Sequence, residues 1–231
     1  MYTVIDRLKL KQIDPVKPAC IKCFDKGYVL QQEGSHTGAS RCSCLLDAIQ
    51  KQRFDALIVA GNMEDYAHMT FESFKPITPK QKIACEAMRD THRGYYLFGS
   101  WGVGKTHLMA ASAVRQAKAG MAVTMLSVPR LLDTIRKRGR AAESADVEMQ
   151  AYSIPYLCLD DIGKQKDSDW TEERLFMLMD ERWKLYQSGK CHTSLTSQYP
   201  LEELKKKMDG AIIDRIRGMC REQYIDGKSM R

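Results

Sequence analysis

At 231 residues, with 44% apolar and 28% charged residues, the chain suits one full domain plus a small appendage and has the balance of an ordinary soluble protein. No apolar run approaches the roughly 20 residues a membrane span needs, and MYTVIDRLKLKQ lacks the continuous apolar stretch of a secretory leader; a cytoplasmic location with no membrane partner is expected. The net charge of +7 fits a nucleic-acid partner without requiring one, so where the cations sit matters more than their sum.

The first segment, to about Arg41, has little apolar periodicity but holds paired cysteines. In a reducing compartment, clustered cysteines point to metal or catalysis rather than to disulfides. Cys20-x-x-Cys23 and Cys42-x-Cys44 are separated by 18 residues rich in glycine. Two thiolates from each of two turns make a tetrahedral Zn²⁺ site with no open position, hence a structural one, and His36 could replace a ligand. Redox cysteines and free thiols are the competing readings. A segment this poor in apolar residues cannot bury a core, so a metal would supply its folding energy. Cys85, Cys158, Cys191 and Cys220 stand singly and read as small buried hydrophobes.

LLDAIQKQRFDALIVA places apolar residues three and four apart, a helix over Leu45–Ala60 ended by Gly61-Asn62. MEDYAHMTFESFKPITP, with two prolines, reads as a linker or extended arm, and a helix follows from about Lys80 to Asp90. The domain scheme expected is a zinc module over 1–44, a helix and linker over 45–75, and a core over 76–231. In the core, strands at Tyr95–Phe98, Met121–Ser127, Pro155–Leu159, His192–Thr196 and about Gln223–Ile225 alternate with helices. The helices run Lys105 to about Lys118, Pro129 to about Arg138, and a third capped by Thr171 and ending near Gln187; two short ones precede the last strand. Such alternation means an α/β fold, a parallel sheet covered on both faces.

Between the first core strand and its helix lies GSWGVGKT, Gly99 to Thr106, which satisfies G-x-x-x-x-G-K-[ST] in the strand-before, helix-after context the motif requires. Gly102 and Gly104 let the backbone curl so that N–H groups, with those of Ser100, Trp101 and Val103, face a phosphate beside a helix N-terminus. Lys105 would reach the β- and γ-phosphates of ATP, and the Thr106 hydroxyl would ligate Mg²⁺, with His107 next on the helix. A second site should then end a neighbouring strand, and YLCLDDIG supplies it about 55 residues on. Asp160 would hold the Mg²⁺ and Asp161 would be the general base for the attacking water. The bland alternative is a pair of loop acids capping a helix. Asp161 is one methylene shorter than Glu, which favours slow hydrolysis.

With these motifs in place, the chain resembles the DnaC/DnaI-type replicative helicase loaders and the related IstB transposition ATPases of the AAA+ class. The matching text, from about Tyr66, includes YAHMTFESF, GKTHL, SVPRLLDTIRKR, LDDIG, DERW, TSLTSQYP, IIDRIRG and KSMR. The resemblance implies a five-stranded AAA+ core in which Gln198 reads the γ-phosphate where the family usually has Asn. It further implies that Arg215 is an arginine finger acting on a neighbouring subunit's nucleotide, in a spiral or ring, and that Arg231 contacts phosphate as a second sensor. It implies a hexameric replicative helicase and single-stranded DNA as partners, the zinc module gripping the helicase.

Arg130, Arg136, Lys137, Arg138 and Arg140 crowd one helix and the turn after it, against Asp133. Such a stretch either follows a single strand's phosphates or is an ordinary solvated face; no aromatic residue interleaves with the charges. The resemblance favours DNA. The function expected is an ATP-dependent loader delivering the helicase to single-stranded DNA, a weak ATPase in isolation. The alternative is a transposition helper acting on duplex DNA with a transposase. A zinc-containing nucleotide kinase, which would need a lid, and an adaptor that binds ATP without turnover are further rivals.

Overall fold

The computed structural model describes residues 20–33, 36–89, 93–137, 143–166, 168–227 and 229. Contacts divide the chain into two compact units, the first ending at Arg53 and the second beginning at Phe54. Among the described residues, no helix is long and apolar enough to cross a membrane.

In the first unit, β1 (Tyr28–Glu33) and β2 (His36–Arg41) form an antiparallel hairpin pairing Tyr28 with Arg41 and Glu33 with His36. Sequence reading finds no strand here, because YVLQQE and HTGASR do not sustain an apolar/polar alternation. Helix α1 (Ser43–Ala60) begins directly after the second cysteine pair opens.

The second unit carries a five-stranded, wholly parallel sheet. Its strands are β3 (Gly94–Phe98), β4 (Val123–Ser127), β5 (Tyr156–Ile162), β6 (His192–Ser197) and β7 (Cys220–Tyr224), in the order β4-β5-β6-β3-β7. Successive residues of a strand point to opposite faces, and both faces are buried. Tyr95, Leu97, Tyr156 and Cys158 enter one core cluster, while Tyr96, Leu157 and Leu159 enter the other. That is why GYYLF of β3 and YLCL of β5 read as continuous apolar runs.

Helices α2 (Pro79–Ala87) and α3 (Lys105–Lys118) cover the first face. The other face is covered by α4 (Val128–Arg136), α5 (Glu143–Ser153), α6 (Asp169–Gln187), α7 (Leu201–Leu204) and α8 (Gly210–Met219). Helix α5 was not expected: ESADVEMQAYS carries too weak a periodicity to announce it, and Ala151 and Ile154 anchor its end. Ser168, not Thr171, caps α6, its Oγ accepting the Thr171 N–H at 3.2 Å. The stretch expected to be a linker is instead packed: Met63, Phe71 and Phe74 are buried in the first core cluster, because three large apolar side chains outweigh the irregular backbone around them. Cys85, Cys158, Cys191 and Cys220 are all buried.

β3 lies between β6 and β7; the chain leaves it for β4 at one edge of the sheet, whereas it later leaves β6 for β7 at the other edge. The loop leaving the C-terminal end of β3 therefore opens at the point where strand order reverses, the crevice in which open α/β sheets bind ligands.

Candidate functional site

The Gly99–Thr106 loop follows β3 and runs into α3. Gly102 (φ 76°) and Gly104 (φ 96°) occupy left-handed backbone, which side-chain-bearing residues rarely adopt. Gly104 caps α3 without a side-chain hydrogen bond, and no acid stands in that helix's first turn. The first N–H groups of α3 are thus left to an external anion, where the helix dipole favours one. Lys105 is buried, its Nζ donating to the Gly99 carbonyl at 2.8 Å and the Ser100 carbonyl at 2.6 Å, so the ammonium is held inside the loop it serves. Buried Val103 gives the loop its apolar underside, and Gln81 Nε2 on α2 donates to the Val103 carbonyl at 3.2 Å. Ser100 and Trp101 are exposed at the tip.

The two aspartates end β5 at an irregularity. Leu159 pairs with Leu195 but Ile162 with Ser197, so three steps along β5 match two along β6, a one-residue bulge. Asp161 takes up the extra residue with φ 63°, a left-handed conformation Asp tolerates. The bulge sets both aspartates against Thr196. Its Oγ1 donates to Asp160 Oδ1 at 2.5 Å and accepts the Asp161 N–H at 2.9 Å. The Thr106 hydroxyl donates to the Asp160 carboxylate at 3.1 Å, joining the loop to β5. Burial, then the charge of Asp161, pushes the Asp160 carboxyl above the usual carboxylate value, against the hydrogen bonds from Thr196 and Thr106. A desolvated carboxylate beside a hydroxyl is a donor set suited to a hard divalent cation. Asp161 Oδ1 is 2.9 Å from Lys164 Nζ.

These groups line one cleft of about 590 Å³, with Trp101, Gly102, Gly104, His107 and Gln198 from the sequence-derived set. Gln198 directly follows β6. His107 Nε2 lies 3.0 Å from the Thr70 carbonyl and 3.2 Å from Ser73 Oγ, so it also ties α3 to the 70–73 turn. Tyr66, Met69 and Lys164 line the cleft as well and were not anticipated, nor was Thr196. Burial, then the charge of Asp160, holds the Tyr66 hydroxyl above its usual pKa, a mark of its closeness to the acidic pair. None of the four carries a local motif; only the topology brings them to the aspartates.

Arg215, Arg130, Arg136 and Lys137 do not line that cleft. Arg215 on α8 donates from Nη2 and Nε to Asp180 Oδ1 on α6, at 3.0 and 3.2 Å. Arg130, Arg136 and Lys137 are exposed on or just after α4, whose buried face is Val128, Leu131, Leu132 and Ile135. Lys137 pairs with Asp133 at 2.6 Å, and the Arg136 guanidinium lies 4.6 Å over the Trp170 ring. Arg138, Arg140 and Arg231 are outside the described residues. Two described residues near the C-terminus meet the loop: the Ile225 N–H donates to the Phe98 carbonyl at 2.9 Å, and Ser229 abuts Gly102 so closely that a Cβ there would collide with it.

In the first unit the sulfurs of Cys20, Cys23, Cys42 and Cys44 lie within 4.8 Å of one another. Cys20 is 3.7 Å from Cys42 and Cys23 is 3.4 Å from Cys44. Neither is a disulfide distance, and four thiolates about 2.3 Å from one Zn²⁺ sit ~3.8 Å apart, so the arrangement fits a tetrahedral metal. Left-handed Phe24 and Asp25 turn the chain so that the Gly27 N–H reaches Cys23 Sγ at 3.3 Å, the support a thiolate ligand needs. Hydrogen bonds from the Cys23 and Lys22 backbone lower the Cys20 pKa to about 7. His36 opens β2, and its side chain is outside the described residues.

The sheet order, the phosphate loop and the paired aspartates define a P-loop ATP-binding protein with an AAA+ core. The chain belongs to the IstB-like ATP binding protein family, whose model matches residues 47–231. It is 26% identical to the replicative helicase loader DnaI of Bacillus subtilis (strain 168) over 114 residues, 49% of this chain and 35% of that protein; the match thus spans about a third of that relative's length. The fold is similar to the crystal structure of the DnaC helicase loader (TM-score 0.62, 21% identity, 71% of this chain and 99% of that one). It is also similar to the crystal structure of DnaI (TM-score 0.61, 21% identity, 70% of this chain and 93% of that one). A third similar structure is the replication initiator DnaA bound to AMPPCP and single-stranded DNA (TM-score 0.58, 20% identity, 69% of this chain and 50% of that one).

Proposed function

We propose that the chain is an ATP-hydrolysing helicase loader, binding a hexameric replicative DNA helicase and delivering it to single-stranded DNA. The observation that carries the ATPase reading is the Thr106–Asp160 contact at 3.1 Å, which joins the phosphate loop to the acidic strand end. Lys105 neutralises the β- and γ-phosphates. Thr106 and Asp160 would hold Mg²⁺, which supplies charge neutralisation at the phosphates. Asp161 takes the proton of the water attacking the γ-phosphorus, and ADP and inorganic phosphate leave. Gln198 orients the γ-phosphate. Arg215 serves the nucleotide of a neighbouring copy in a spiral or ring, while Asp180 keeps its guanidinium oriented. Arg231 is assigned to phosphate as a second sensor.

The four-cysteine cluster holds structural Zn²⁺ and its module grips the helicase. Arg130, Arg136 and Lys137, with Arg138 and Arg140, meet the DNA strand. The family match and the likeness to DnaI favour this assignment. The family's IstB-like description favours a second reading, a transposition helper working on duplex DNA with a transposase. A pull-down against candidate replicative helicases, with and without ATP, tests the two: recovery of a helicase with ATP is expected, and recovery of a transposase instead, or of neither, overturns the loader assignment.

A further inference from the structure

Lys164 stands between two openings of the core unit. Its Nζ is 2.9 Å from Asp161 Oδ1, and its side chain lines the nucleotide cleft. It also lines a groove of about 190 Å³ between α4 and the β5–α6 loop, with Arg136 and Lys166. Among the described residues, the one carboxylate lining that groove, Asp133, is already held by Lys137 at 2.6 Å. Among the described residues neither Arg136 nor Lys166 is ion-paired, and Trp170 beneath the Arg136 guanidinium fixes its direction while leaving its N–H edge for an acceptor. Three cations thus converge on an opening whose one acid among the described residues is neutralised. One of them is shared with the residue assigned as general base. The Lys164 and Asp161 side chains are 40% and 34% exposed, and an ion pair that open to solvent is weak enough for a competing phosphate to displace.

We propose that this groove binds the phosphodiester backbone of a single-stranded nucleic acid, and that Lys164 passes from Asp161 to the bound phosphate. Asp161 is then free to accept the proton of the attacking water. Lys164 is a positioning residue: it touches no reacting atom and acts through Asp161. The coupling rests on Asp161 being the base of an ATPase, whereas the binding site does not.

The test uses the full chain, a fluorescently labelled single-stranded oligonucleotide and ATP turnover with and without unlabelled strand. Anisotropy titrations over a salt series should give a log–log slope of which this groove supplies about −2, three contacts at roughly 0.7 each. R136Q and K166Q should each weaken binding and flatten that slope by about 0.7. Both should also lower the ratio of strand-stimulated to basal turnover, whereas K190Q, at an exposed lysine beyond α6, should change neither reading. K164Q should raise basal turnover about two- to fivefold, the range an exposed ion pair allows, and should no longer respond to the strand. Inorganic phosphate at matched concentration should not stimulate; equal stimulation by it would assign the groove to a free anion and overturn the strand. Binding unaffected by R136Q and K166Q overturns the site. A K164Q chain that turns over and responds like wild type overturns the coupling while leaving the ATPase standing. A chain that hydrolyses no ATP under any condition removes the ATPase reading and the coupling together, with the affinities of R136Q and K166Q still deciding the groove.

Discussion

Thr196 donates its hydroxyl proton to Asp160 Oδ1 at 2.5 Å across the β5–β6 pair, at the point where the bulge has brought two aspartates opposite one residue. Asp160 is otherwise largely removed from water. Its pKa is raised by burial first and by Asp161 second, so the protein carries a carboxylate it would be more stable without.

That cost is measurable through pH. A carboxyl whose folded pKa is raised holds its proton more tightly folded than unfolded. It therefore subtracts from stability at neutral pH, and the subtraction fades as pH falls through the folded value towards the ordinary one. Asp160→Asn keeps an acceptor for Thr196 and Thr106 but removes the charge. We expect it to raise the Tm of nucleotide-free protein by about a few degrees at neutral pH, with the gain shrinking in mild acid, and to abolish Mg²⁺-dependent ATP binding. Thermal denaturation against pH checks the first part and calorimetric titration of Mg-ATP the second. A Tm that falls at neutral pH would show that hydrogen bonding outweighs desolvation at this carboxylate.

Arg182 is the largest fully buried side chain of the core, and it is spent on the backbone. From α6 it donates Nη1 to the Ile154 carbonyl at 2.5 Å, Nη2 to the His192 carbonyl at 2.6 Å and Nε to Thr193 Oγ1 at 3.0 Å. It thereby ties the entries of β5 and β6 to the helix that covers them. Arg182→Met fills the space but orphans these acceptors at about 1–3 kcal/mol each, for a total loss of ~3–5 kcal/mol given partial relaxation. Urea unfolding should show a lower midpoint with an unchanged m-value. A loss under ~1 kcal/mol would mean that water replaces the guanidinium.

The nucleotide loop, the acidic strand end and the doubly covered parallel sheet were legible because each has a local cause: glycine spacing, an apolar run ending in acids, strand–helix alternation. The GlyLysThr of α3 and Asp160 needed no partner to be recognised. Thr196, Tyr66 and Lys164 were not legible. A threonine in a strand reads as a β-former, and nothing local says that a bulge on the next strand will face it. Met63, Phe71 and Phe74 read as a linker because their irregular backbone shows no period, although their size alone predicts burial. The β1–β2 hairpin escaped for a related reason, since its strands lack alternation and are bracketed by cysteines rather than by a core.

Arg215 separates nucleotide binding from assembly. It is half-buried and shares Asp180 with Lys184, whose hydrogen bond is the first cause and that of Arg215 the second in holding the Asp180 carboxyl below its usual pKa. Losing one partner of a shared, partly exposed acid costs little, ~1 kcal/mol or less. Arg215→Ala should leave the Kd for ATP within about twofold and the isolated chain's turnover unchanged, yet lose at least about tenfold of the turnover measured with partner helicase and DNA, as removal of a finger supplied in trans does. Equal loss in the isolated chain would place the arginine's action within one subunit.

The cysteine module should depend on its metal for order. Its hairpin is largely polar, and Ile21, Phe24 and Leu30 are exposed at 89%, 81% and 74%, so little apolar area is buried there. The four sulfurs are what close β1–β2 onto the turn before it, with the Cys42 N–H donating to the Gly27 carbonyl at 2.8 Å. Purified protein should carry one Zn²⁺ per chain, released by a thiol-modifying reagent and measurable with a colorimetric chelator. Cys23→Ser, at one of the two buried cysteines of the cluster, should lower zinc affinity at least about 10–100-fold and expose the Tyr28–Arg41 hairpin to protease. The phosphate loop draws its support from Gln81, Thr106 and Asp160, all in the second unit, so ATP affinity should survive the same substitution. A metal-free preparation with four titratable thiols and a protease-resistant hairpin would dismiss the zinc, and loss of ATP binding alongside the metal would show that the two units fold as one.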